Sequence, residues 1–151
     1  MMSTTTRFGF WTGLIAYCLA SLFAVRVLGA VQGDLIPSDA WVRLPAAGET
    51  TTTAFVTLKN ATMYDVYVIS ATADVAGKVE FRDARKQGDA ATQIVKNFTV
   101  PSYESLQMSP KGLHLILSDL KQPLKEGATV TLTLTVDGGS SVRVRAEVGK
   151  E

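Results

Sequence analysis

Two segments near the end of the chain alternate too strictly to be anything but extended. Val130, Leu132, Leu134 and Val136 interleave with threonines, and Val142, Val144, Ala146 and Val148 interleave with Arg143, Arg145 and Glu147. A period of two puts all the apolar groups of each segment on one face and the polar groups on the other, the pattern of a half-buried strand. Asp137-Gly138-Gly139-Ser140 lies between them, a tight hairpin connection whose glycines can take positive φ. A chain ending in such a hairpin needs a second apolar face to cover the first, so the remaining residues must supply more sheet or helices.

They supply sheet. Trp41 to Arg43 reads as a short first strand with prolines on both sides, and Ala54, Val56 and Leu58 alternate with Phe55, Thr57 and Lys59. Val66 to Ala71 and Val79 to Arg82 follow as strands, and Asp83 to Ala91 as a polar hairpin loop around Gly88. Thr92 to Val95 and Phe98 to Val100 are short strand candidates. Leu106 and Met108 alternate up to the turn Ser109-Pro110-Lys111-Gly112, and Leu113 to Ser118 comes next. After residue 33 no stretch sustains a helical period. Strands recurring every eight to twelve residues, with turn signals between, predict an all-β sandwich or barrel in a single domain.

Residues 1–33 are a different kind of segment. Arg7 precedes Phe8 to Val25, an uncharged and mostly apolar run, and small residues at Gly29, Ala30 and Gly33 offer cleavage points after Gly29 or Gly33. The run is nearly long enough to span a bilayer, so it reads as an export signal or as an uncleaved membrane anchor. Cys18, mid-run and without small residues before it, lacks the setting of a lipidated cysteine. Either reading places residues 34–151 outside the cytoplasm.

Composition then removes whole classes of function. Two of the 15 basic residues, Arg7 and Arg26, lie in the leader, leaving 13 against 14 acidic ones. No basic stripe is present to meet nucleic acid. Cys18 is the single cysteine and His114 the single histidine, which excludes a disulfide framework, zinc-finger spacing, a cysteine nucleophile and a histidine cage. Ser140 and Ser141 follow glycines without a strand-to-helix elbow or a second histidine, so no enzyme is expected.

Several pieces, in order, resemble one family. They are Asp39-Ala40-Trp41-Val42-Arg43, Ala54 to Asn60, Val75-Ala76-Gly77-Lys78-Val79-Glu80, Ser109 to Leu117 with His114 inside it, and Leu120-Lys121-Gln122-Pro123-Leu124-Lys125-Glu126-Gly127. Together they resemble the periplasmic copper chaperones called PCu(A)C, over residues 34 to 148. The resemblance implies a cupredoxin-like Greek-key β-sandwich exported to the periplasm, carrying one copper(I) ion to the copper site of a respiratory oxidase. It further implies partners that are membrane-bound cuproproteins or their assembly factors. Its ligands are a histidine after the Val-Glu piece, a methionine about ten residues later and a closing His-x-Met. Imidazole and thioether suit soft Cu(I), and a site without thiolates can release it to a thiolate-bearing acceptor.

Carried over residue by residue, most of that set is missing. The first histidine position is Arg82, the methionine falls at Thr92 or Gln93, and the closing motif keeps His114 but has Ile116 in place of methionine. A guanidinium has no lone pair to donate and repels a cation. His114 is read as a residual ligand or as a structural histidine, with Met108 and Met63 as the remaining thioethers. Met108 looks like core packing, and Met63 lies in the Asn60-to-Asp65 turn. Arg82, Asp83, Arg85 and Lys86 form either an anion- or partner-binding patch or a solvated loop. Trp41 is expected as a core anchor. Asn60-Ala61-Thr62 and Asn97-Phe98-Thr99 match the glycosylation sequon. The chain is thus either a copper carrier of this family or a copper-free binding or assembly module on the same scaffold.

Overall fold

The computed structural model describes residues 33–89 and 93–149. The leader, Cys18, Thr92 and the end of the loop expected over Asp83 to Ala91 lie outside the described residues. The rest is all β: β1 (Leu35–Arg43), β2 (Thr52–Asn60), β3 (Val66–Ala73), β4 (Ala76–Asp83), β5 (Ile94–Val95), β6 (Phe98–Val100), β7 (Ser105–Gln107), β8 (Leu113–Leu120), β9 (Thr129–Val136) and β10 (Ser141–Gly149). The strands follow one another in space as β5-β4-β8-β2-β1-β10-β9-β3-β6, with β7 also on β2. Because β3 runs straight on into β4, this path nearly closes on itself. The result is the expected cupredoxin-like Greek-key sandwich around a single core.

Local chemistry sets most of this. The β9–β10 hairpin pairs Val142 with Leu134 and Val144 with Leu132, all buried, while Gly138 and Gly139 take φ of 93° and 87° in the connection. A residue with a Cβ would meet steric resistance there. In β8, Leu113, Leu115 and Leu117 are buried and His114, Ile116 and Ser118 alternate with them on the other face. Slipping this strand by one residue would expose three leucines, at roughly 2 kcal/mol each. The outward placement of His114 and Ile116 is therefore fixed by their neighbours.

Three expectations need correction. The first strand is longer than Trp41 to Arg43 and runs through Pro37. Proline is tolerated because β10 pairs with β1 only from Trp41 onward, in parallel, so no partner on that edge asks for the missing N–H. A register shift between Ser38 and Trp41, with Asp39 at φ 48°, turns the strand at that junction. Phe55, alternating with core residues, is itself only 2% exposed, because Trp41 stacks over it. Trp41 is half-buried and lies outside the fully sealed core, as the cover of Phe55.

Asn60 closes one end of the sandwich. It is fully buried, and its side-chain amide donates to the carbonyls of Tyr64 and Val100 at 2.8 and 2.9 Å. Its Oδ1 accepts from the Thr62 backbone N–H and hydroxyl at 2.9 and 2.7 Å. All four hydrogen-bonding capacities of the amide are thus used. This decides between the two sequons: Asn60 is a structural staple with no amide hydrogen free, whereas Asn97 is exposed.

Candidate functional site

The outward face of β8 and its neighbours holds the residues that the resemblance singled out. Antiparallel pairing of β4 with β8 sets Arg82 opposite His114 and Glu80 opposite Ile116. On the other side, β2 sets Thr53 opposite Ile116 and brings the Phe55 ring 6.3 Å from the imidazole, tilted by 41°. Phe55 in turn stacks on Trp41, with centroids 4.6 Å apart and planes at 27°, and the Arg43 guanidinium lies 6.0 Å from the Phe55 centroid. A row therefore runs across four strands: Arg82, His114, Phe55, Trp41.

His114 is held from below. Its Nδ1 lies 2.9 Å from the Gly112 carbonyl oxygen, and since a carbonyl only accepts, Nδ1–H is the donor. In the neutral ring Nε2 then carries the lone pair. A backbone carbonyl fixing the ring in this way is what metal-ligating histidines ordinarily have. Beside it, however, stands a cation. The Arg82 Nη2 lies 3.5 Å from Glu80 Oε2, and Glu80 Oε1 is 2.8 Å from Lys78 Nζ. Lys78, hydrogen-bonded to Glu80, draws its carboxyl below the usual range. Burial opposes this, and Arg82 adds to it. The ion-paired group next to His114 is Glu80-centred, and it was not anticipated from the sequence. The i, i+2 spacing of Lys78, Glu80 and Arg82 on one strand face was the signal that could have found it.

The other predicted residues are placed as follows. Gln93 leads into β5, its carbonyl accepting the Asp83 N–H at 3.0 Å, one residue from Ile94, which pairs with Arg82. Arg82, His114 and Ile116 are thus contiguous, whereas Gln93 stands one position off their face, opposite the buried Asp83. Met108 is buried in the core with Leu113 and Leu115, on the side of β8 away from His114. Met63 is 78% exposed in the loop after Asn60, whose strand position lies roughly 17 Å along β2 from Phe55. Among the described residues no group of three or more His, Cys, Asp or Glu could hold a metal ion.

The charged loop after β4 is partly self-neutralised. Asp83, buried at the end of β4, accepts from Arg85 Nε and Nη2 at 2.9 and 2.8 Å and from its backbone N–H at 3.0 Å. The Arg85 guanidinium holds the Asp83 carboxyl below the usual range, against the effect of burial. A carboxylate with a depressed folded value adds stability above its unfolded value and loses it as pH falls through the folded one. Asp83→Asn is therefore expected to lower the melting temperature at pH 7, with the gap to the parent closing as pH is lowered below about 4. A gap independent of pH in thermal melts would assign the effect to packing instead.

With this geometry in place, the class of domain is clear. The fold matches the copper-bound PCuAC domain from PmoF2 at a TM-score of 0.68, with 21% identity, covering 79% of this chain and 95% of that one. It also matches the solution structure of Cu(I)-bound DR1885 from Deinococcus radiodurans at a TM-score of 0.63, with 28% identity, covering 77% and 78% of the two chains. The domain is of the PCu(A)C type, as the resemblance implied. Residues 37–148 match the family model described as "Putative lipoprotein LpqE-like". A relative from Leifsonia xyli subsp. xyli, also named as a lipoprotein, is 34% identical over 151 residues, covering 98% of this chain and 89% of its own. The chain belongs to the LpqE-like family.

Proposed function

We propose that this protein is an exported, membrane-tethered binding or assembly module that keeps the PCu(A)C scaffold without the family's copper cargo. The observation that carries this reading is the cross-strand pairing of Arg82 with His114. A guanidinium beside the one remaining imidazole puts positive charge where the resemblance would place a cation, and its ion pairing with Glu80 keeps it there. The donors fit Cu(I) poorly, because among the described residues no thioether accompanies His114 on its face of the sheet. The tether is supported by the apolar run Phe8 to Val25 and by the lipoprotein naming of the relatives. Membrane-bound cuproproteins or their assembly factors are the partners this scaffold suggests.

A second reading, a copper carrier for respiratory oxidase assembly, is favoured by the Gly112 carbonyl that orients His114 and leaves Nε2 as its donor atom. Competition for Cu(I) against a chromophoric chelator, on the full chain and on His114→Ala, separates the two. No binding above background in either protein is expected. Stoichiometric binding that disappears in the variant would establish the carrier.

A further inference from the structure

We propose that the end of the sandwich formed by the 61–65 and 101–104 loops rests on the lipid surface from which the chain emerges. This rests on the tethered reading above and adds which face of the domain meets the bilayer. Three observations converge on this end. The loops expose Met63, Tyr64 and Tyr103 at 78%, 53% and 68%, a cluster of large apolar groups that the fold leaves uncovered. Tyrosine, with an apolar ring and a polar tip, is the side chain suited to a membrane–water interface.

The cluster is also built to hold its shape. Asn60 ties Tyr64 to Val100, the Tyr103 N–H donates to Thr62 O at 3.2 Å, and the Ser102 N–H donates to Asp65 Oδ1 at 3.0 Å. Tyr103 keeps φ at 58°, a conformation costly for a residue with a Cβ, and the strain serves to aim an aromatic ring outward.

The third observation is where the chain enters the domain. Leu35 pairs with Asn60, and Gly33 lies so close to Val142 that a Cβ would come within 2.7 Å of its Cγ2. The described chain therefore begins at the foot of this same tip. With the apolar run to Val25 as the anchor itself, residues 26–33 are the whole connection, spanning at most about 28 Å when fully extended. A leader held in a membrane through so short a link must present this end of the domain to it. Asp34, Asp65 and Glu104 surround the tip, which favours a zwitterionic surface over an anionic one.

The test uses the full chain in phosphatidylcholine vesicles. Peroxide oxidation of Met63 and hydroxyl-radical labelling of Tyr64 and Tyr103 are measured before and after cutting an engineered protease site within residues 27–32. Met108, sealed in the core, reports that the fold is intact. Protection of the three tip residues by at least about fivefold while tethered, lost on release, supports the proposal. Labelling unchanged on release overturns it. Protection in native membranes but not in pure lipid overturns it too, and assigns the tip to a protein partner. A chain that fails to float with the vesicles removes the tether and this proposal with it, while the copper titration still judges the cargo-free reading on its own.

Discussion

The double variant Arg82→His, Ile116→Met is expected to bind one Cu(I) at least about a hundredfold more tightly than the parent, about 3 kcal/mol. The reason is geometric. Pairing of β4 with β8 sets residue 82 opposite His114, and the two-residue period of β8 puts residue 116 on the same face, next along the strand. Three soft or borderline donors would then replace one imidazole, and the repelling guanidinium would be gone. Arg82→His alone should gain less, because two imidazoles without sulfur favour Cu(I) less than a mixed set. The check is the same chelator competition, with X-ray absorption to count sulfur neighbours. A double variant no better than the parent would mean that these positions do not converge as the register implies.

The second large effect concerns stability. Asn60→Ala is expected to cost about 3 kcal/mol, because the Val100 carbonyl loses its buried donor, the Tyr64 carbonyl keeps only the Thr62 hydroxyl, and the Thr62 N–H loses its acceptor. For a domain of this size that is a fall in melting temperature of roughly 10 °C. Asn60→Asp should be no milder despite its matching shape. A carboxylate keeps the acceptor for Thr62 but cannot donate, and it would face two carbonyl oxygens. Thermal melts of both variants decide the point. An Asp variant as stable as the parent would show that acceptance from Thr62 alone is what the fold requires.

These two variants bracket what the fold tolerates. The outward face of β8 can be rewritten because the leucines on its other side, and not His114 or Ile116, hold the strand in register. The Asn60 amide cannot, because it joins the β2–β3 loop to the end of β6 inside the protein. The Lys78–Glu80–Arg82 row lies between these extremes: its ion pairs are partly solvated, so they contribute charge and orientation more than stability.

Strand alternation made most of the sandwich legible in advance. The β9–β10 hairpin matches its predicted faces, since a period of two leaves no choice of side once an apolar partner exists. β1 was underestimated because Pro37 reads as a strand breaker until its edge is known to be free. Alternation groups Phe55 with Thr57 and Lys59, because a period of two knows one core only. It does not see a cover made by Trp41 from the neighbouring strand. Of the candidate site, Arg82, Gln93, His114 and Ile116 are the positions the resemblance implies. It does not imply the Glu80 pairing or the carbonyl beneath His114.

The sequence by itself determined the all-β class and the scaffold, and it carries Arg82, Gln93 and Ile116 at three of the four ligand positions the resemblance implies, because these follow from residue identity and short-range period. Tertiary structure decided what stands beside what. It set Arg82 against His114, put Met108 in the core and Met63 in the open, made one sequon asparagine a buried staple, and brought the entry of the chain to the foot of an exposed tyrosine tip. Those are relations between strands distant in sequence, fixed by the sum of leucine, valine and phenylalanine burial across the whole sheet, and no local pattern carries them.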